Sequence, residues 1–287
     1  KSIAPHFAEA VRKELVVFAE QTGLDIYDDG LIAYTTLDSR MQAMAQAAVD
    51  SVLPCLEAVA DWEWSDVGTD ERVWSISSCD YKELDIEPWS GFWKKQPTLL
   101  QNLVRNTDRY RRAIQRGQDR AELTRELLAD AAFLDSVKSE KTRLETGFVA
   151  MDPQTGFIKA WIGGRELGKD WYDHVSIAER QPGSTFKPFV YTAAIDNGWS
   201  PYETFVDDSV HIVDDIGNVW SPGNSGEMSG LPMTLREGLA RSKNTITAQL
   251  IEQVGPSEAA FYARRMGITS SLDEVYSLAL GTSDVKL

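Results

Sequence analysis

Nine consecutive residues, Arg180-Gln-Pro-Gly-Ser-Thr-Phe-Lys-Pro188, constrain this chain more than any other stretch. Pro182 and Gly183 break whatever precedes them, and the apolar run from Phe186 to Ile195 then reads as a helix buried on nearly all sides. Ser184 falls at or beside the start of that helix, with Lys187 one turn further on. Side chains three apart on a helix are neighbours, so the Lys187 amine can reach the Ser184 hydroxyl. A serine becomes a nucleophile when a base takes its proton, and a lysine is such a base only when burial or positive neighbours lower its pKa. The free N–H groups and dipole of the helix start favour the negative charge that forms on an attacked carbonyl. Pro188 is tolerated in a first turn, where it removes the donor that would close on the Ser184 carbonyl and so loosens that turn. Asp196-Asn-Gly198 ends the helix with a left-handed cap.

Ser-x-x-Lys alone is a common pattern. The whole nonapeptide, however, resembles the active-site signature of the penicillin-binding proteins, specifically the bifunctional class A group of that serine acyl-transferase superfamily. A second stretch, Met233-Thr-Leu-Arg-Glu-Gly-Leu-Ala-Arg-Ser-Lys-Asn-Thr245, resembles the same family and holds Ser242-Lys-Asn244. The resemblance implies a catalytic set of Ser184, Lys187, Ser242 and Asn244. Ser242 would relay a proton between Lys187 and the leaving nitrogen, and Asn244 would hydrogen-bond the Lys187 amine or a substrate amide. Trp220 would line the substrate cleft. The plainer alternatives are a core tryptophan at 220 and a polar corner between helices, with Asn244 capping the second. Tyr34-Thr-Thr-Leu-Asp-Ser-Arg-Met-Gln42 resembles the family's linker between its glycosyltransferase and transpeptidase domains, and an ordinary strand–helix unit fits the same residues.

The expected fold is α+β: a serine β-lactamase/transpeptidase-like domain over 146–287, with an antiparallel sheet and helices around a central buried helix bearing the serine. Residues 1–145 are expected to be a mixed α/β linker or pedestal region with a Trp-rich insertion. Ala4 to Glu20 reads as an amphipathic helix ended by Gly23, and Leu31-Ile-Ala-Tyr-Thr-Thr36 as a strand. A helix capped by Asp38 or Ser39 should run to Val52 and stop at Pro54. Trp62, Trp64, Trp74, Trp89 and Trp93 either stack on glycan strands or, the favoured reading, fill the core of a small unit. The charged stretch from Arg105 to Glu145 reads as helices parted near Gly117, its arginines a solvated face. Gly147–Asp152 and Phe157–Ile162 form a hairpin around Pro153-Gln-Thr-Gly156, Thr234-Leu-Arg-Glu237 is a capping box, and Thr245–Val254 is a further helix.

A formal net charge of −15 over 287 residues argues against nucleic acid as a partner. No stretch reads as the roughly 20 apolar residues of a spanning helix, and no signal peptide opens the chain, so a membrane anchor is expected outside this sequence. Cys55 and Cys79 could pair or remain buried thiols. His6, His174 and His211 lack ligand-like spacing, and neither a metal nor a cofactor is called for. The family's third motif, Lys-Thr-Gly on a strand beside the serine, does not occur in these 287 residues, and the family's glycosyltransferase domain, expected ahead of residue 1, is not among them.

The resemblance thus implies a D,D-transpeptidase that cross-links peptidoglycan stem peptides ending in D-Ala-D-Ala and is acylated by β-lactam antibiotics. It would work on the extracytoplasmic side of a bacterial inner membrane, with wall-synthesis proteins as partners. A β-lactam sensor or non-catalytic scaffold is the alternative from another class. A β-lactamase fits less well: its Glu-x-x-x-Asn pattern fails, since Glu252, Glu258 and Glu274 are followed four places on by Pro256, Tyr262 and Leu278.

Overall fold

The computed structural model describes residues 2–68, 79–214 and 216–287, and the chain divides into two compact units, Lys1–Trp171 and Tyr172–Leu287. In the first, Pro5 opens helix α1 (Pro5–Thr22) and Gly23, left-handed at φ 75°, closes it. The Asp38 carboxylate accepts the N–H groups of Arg40 and Met41 and starts α2 (Ser39–Glu63). This helix runs through Pro54, where the sequence predicted a stop. The residues around and beyond the proline explain it: Leu53, Cys55 and Ala58 are buried, and Cys55 is bonded to Cys79 in a disulfide. Those contacts outweigh the ~3 kcal/mol that a helix-interior proline costs.

The strand predicted at Leu31–Thr36 does not form. Ile32 and Tyr34 are 77% and 93% exposed, so their β-favouring side chains have no surface to pack on. The segment is pinned only at its end, where Thr36 Oγ1 and the Asp38 N–H donate to the carbonyls of Ile158 and Lys159.

The tryptophans, Trp74 lying outside the described residues, make an aromatic cluster around α3 (Ser90–Lys95). Trp64 stacks on Trp89 with an interplanar angle of 2°, Phe92 meets both edge-on, and Trp62 meets Tyr81. Trp93 is buried, and the Trp89 indole donates to Asp61 Oδ1 at 3.0 Å. The charged stretch is a small helical bundle: α4 (Pro97–Arg105), α5 (Asp108–Gln115), α6 (Arg120–Ala129) and α7 (Ala131–Thr142). Thr107, Asp119 and Asp130 cap the last three, Gly117 breaks the chain between α5 and α6, and Val104, Tyr110, Leu123 and Leu127 form the core.

Strands β1 (Phe148–Met151) and β2 (Ile158–Ile162) pair antiparallel as expected, with Phe148 opposite Ile162. They pack under α2 through Ala45, Ala160 and Ile162. Gln42, 1% exposed, clamps the pair: its Nε2 donates to the Trp161 carbonyl and its Oε1 accepts the Trp161 N–H. The hairpin expected to open the second domain at 146 therefore packs within the first unit. By length and composition α2 could also cross a membrane, against the expectation that no stretch could. Its bonds to β2 place it in the packing of this unit.

The second unit is built on α8 (Lys187–Asp196), entered through a 3₁₀ turn over Gly183–Phe186. Ser184 therefore sits in that turn and not on the α-helix proper. Pro188 gives the reason: without an N–H it cannot bond the Ser184 carbonyl, and the Lys187 N–H does so at 3₁₀ spacing instead. Short antiparallel pairs follow, β3 (Thr204–Val206) with β6 (Pro232–Thr234) and β4 (Ile212–Val213) with β5 (Val219–Trp220). The capping box of Thr234 and Glu237 starts α9 (Leu235–Ala240), followed by α10 (Asn244–Val254) and α11 (Pro256–Arg265). Phe186, Val190, Tyr191 and Ala194 pack against Ile246, Leu250 and Ile251 of α10 and Ala259, Ala260 and Ala263 of α11, all buried. The fold is α+β, its sheets short and its core helical.

Candidate functional site

Lys187 is wholly buried at the first position of α8, yet its amine is not unpartnered. Nζ donates to the Ser242 carbonyl at 2.6 Å, to Ser242 Oγ at 3.0 Å and to Asn244 Oδ1 at 2.7 Å. Three acceptors match the three protons of an ammonium. Burial nevertheless penalises the charge and pulls the Lys187 pKa down to about 8. At pH 7 about one molecule in ten then carries the neutral amine, where an ordinary lysine would offer fewer than about one in a thousand.

Ser242 reaches Lys187 twice because its backbone is left-handed, at φ 52°. For a residue with a Cβ this conformation costs roughly 1–2 kcal/mol, and it turns both the carbonyl and the hydroxyl onto the same amine. The corner is held from behind: the N–H groups of Ser242 and Lys243 bond to the carbonyls of Leu239 and Gly238.

Asn244 opens α10 and does not cap it. Its side chain is already engaged, Oδ1 with Lys187 and Nδ2 with the Gly223 carbonyl at 2.7 Å. Asn224 caps the helix from across the loop, its Oδ1 accepting the N–H groups of Asn244 at 2.8 Å and Thr245 at 3.3 Å.

Ser184 lies exposed in the 3₁₀ turn, and its hydroxyl has no hydrogen-bond partner among the described residues. The structure thus brings Lys187, Ser242 and Asn244 into one bonded set, with Ser184 three residues before Lys187 and outside that set. Catalytic hydrogen bonds are often long without substrate and tighten when it binds. Trp220 is not part of the set. It packs half-buried against the cluster of Val210, Ile212 and Ala248, and it also lines a cavity with Asn218, Pro256 and Tyr276.

The turn carrying Ser184 is also clamped by residues 281–285. Arg180 and Val285 exchange both backbone hydrogen bonds at 2.9 Å, and Gln181 donates to the Thr282 carbonyl at 3.0 Å. Gly281, left-handed at φ 68°, packs so tightly that a Cβ there would lie 2.3 Å from the Gly183 carbonyl oxygen.

A Ser-x-x-Lys turn set beside a Ser-x-Asn corner is the arrangement of the serine acyl-transferases that react with β-lactams. Residues 146–277 match the family described as the penicillin binding protein transpeptidase domain, and that part of the chain belongs to it. It is 31% identical to penicillin-binding protein 1A of Neisseria lactamica, over 98% of this chain and 38% of that protein. Penicillin-binding protein 1A of Pseudomonas aeruginosa is 25% identical over 98% and 37% respectively. The chain therefore spans less than two fifths of the length of these relatives. The crystal structure of penicillin-binding protein 1A from Haemophilus influenzae aligns with 50% of this chain and 21% of its own, at 29% identity and a TM-score of 0.47.

Proposed function

We propose that the chain carries the nucleophile, base and proton relay of a peptidoglycan D,D-transpeptidase. The observation that bears most weight is the buried Lys187 amine, partly neutral at physiological pH and fixed by Ser242 and Asn244. Neutral Lys187 takes the Ser184 proton as Oγ attacks the carbonyl of the penultimate D-alanine. The tetrahedral oxyanion collapses, the C–N bond breaks, and the terminal D-alanine leaves with a proton relayed from Lys187 through Ser242 Oγ. The remaining acyl group is an ester on Ser184. An amine from a neighbouring stem attacks that ester, giving up its proton to the same relay, and the cross-link forms as Ser184 recovers its hydroxyl. A β-lactam enters the same first step, its strained amide standing in for the D-Ala-D-Ala bond.

The Cys55–Cys79 disulfide suits an oxidising compartment, and the reading accordingly places the protein on the extracytoplasmic side of the membrane. The class A assignment adds a glycosyltransferase activity and an anchor in the whole protein, and partners in wall synthesis. The reaction is tested with the protein at its natural length, a stem peptide ending in D-Ala-D-Ala and an acceptor amine. Release of D-alanine together with a cross-linked peptide is expected, and Ser184→Ala should abolish both. D-Alanine release without any cross-linked product would reduce the assignment to a carboxypeptidase. Acylation by penicillin without turnover of any stem peptide would leave a β-lactam sensor.

A further inference from the structure

Behind the Ser242-Lys-Asn244 corner lies a carboxylate that the chemistry above does not use. Asp207 follows β3 directly and is wholly buried. A buried carboxylate is tolerated only when its oxygens are well satisfied, and here five donors converge on it. The Lys243 ammonium lies 2.7 Å from Oδ2, and the Ser229 N–H and Oγ each donate to Oδ2 at 3.1 Å. Oδ1 accepts from Thr245 Oγ1 at 2.7 Å and Asn224 Nδ2 at 2.9 Å. Burial pushes this carboxyl upward, but the bonds from Lys243, Thr245, Ser229 and Asn224 outweigh it and hold the group far below the usual carboxylate range.

Three of these partners share one property. Lys243 is the middle residue of the corner, Thr245 follows it, and Asn224 holds the N–H of Asn244. Asp207 fixes which way the Asn224 amide faces: with Nδ2 turned to the carboxylate, Oδ1 is left for the first N–H groups of α10. The negative charge also sits beside the start of α10, where the helix dipole favours it.

We infer that Asp207 is the positioning residue of the active site, acting through Lys243, Thr245 and Asn224 to hold Asn244 and Ser242 against the Lys187 amine. The inference rests on the transpeptidase reading and assigns a role to a residue 35 positions before the corner that touches neither substrate nor nucleophile.

The test uses Asp207→Asn, Asn224→Ala and the double variant in the protein at its natural length, with acylation by a chromogenic penicillin resolved into pre-covalent binding and the bond-forming step. Asp207→Asn keeps the shape but turns an amide donor toward groups that are themselves donors. It should slow bond formation by roughly a hundredfold, the scale of an ångström-sized misplacement, with binding little changed. Asn224→Ala leaves the carboxylate its other partners and remains folded. Its own loss should be smaller, and the double variant should lose less than the product of the two single losses. Multiplicative losses, equal effects on binding and bond formation, or an unchanged rate in folded Asn224→Ala would each overturn the inference. Failure of the unsubstituted protein to form any adduct would overturn the transpeptidase reading, and the inference with it.

Discussion

At the scale of single residues, the site turns on how one amine is kept reactive. Lys187 has three acceptors and no exposure, and the desolvation that lowers its pKa to about 8 sets where it works. With neutral Lys187 as the proposed base, acylation of Ser184 should rise with pH through about 8 and level off above it, a profile measurable with any chromogenic β-lactam. The same shift has a sign for stability. Folding displaces a proton between pH 8 and the ordinary lysine range, so the unfolded chain binds more protons there and this group makes stability rise with pH across that window. Lys187→Ala removes the base and should lower the acylation rate by roughly 10²–10⁴-fold while the protein still binds drug non-covalently. Asp207 has the same sign in a lower pH window. Its carboxyl is depressed, so its contribution is complete above the usual carboxylate range and is lost only as pH falls well below it.

Elements decide whether those residues meet. The 3₁₀ turn of Ser184 is short and exposed, and it keeps its shape through residues 281–285 on its far side. Gly281→Ala places a methyl against the Gly183 backbone in a left-handed conformation, and should cost on the order of 2–4 kcal/mol and slow acylation together, read by thermal melting and by adduct formation. In the other unit, opening the Cys55–Cys79 bridge by serine substitution should lower the stability of that unit by about 3 kcal/mol, visible as an earlier unfolding transition.

Elements are also where the sequence is most and least legible. Local chemistry was legible: the Thr234–Glu237 capping box, the hairpin at 148–162, the breaks at Gly23 and Gly117, and the buried run after Ser184 all signal themselves within a few residues. Contacts made across the chain were not. Nothing near Pro54 says that burial of Cys55 and Ala58 will carry a helix past it, and nothing near Tyr34 says that its strand partner is missing. Asp207 and Asn224 are a further case. A single acid after Phe205-Val206 and an asparagine in a glycine-rich loop read as turn residues until folding sets them behind the corner at 242–244.

At the scale of the whole molecule, one unit contains both the Ser184 turn and the corner at 242–244, and the chain spans less than two fifths of the length of the penicillin-binding proteins 1A it matches. Its strong negative charge does not suit nucleic acid as a partner. Everything proposed for this chain depends on Ser184 being an acylated nucleophile served by Lys187. The most direct measurement is intact mass with peptide mapping after incubation of the natural-length protein with penicillin. The expected result is a stable adduct of one drug mass on the peptide bearing Ser184, absent in Ser184→Ala and formed far more slowly in Lys187→Ala. A folded protein that neither gains mass nor consumes the drug, or an adduct on another residue, would contradict it.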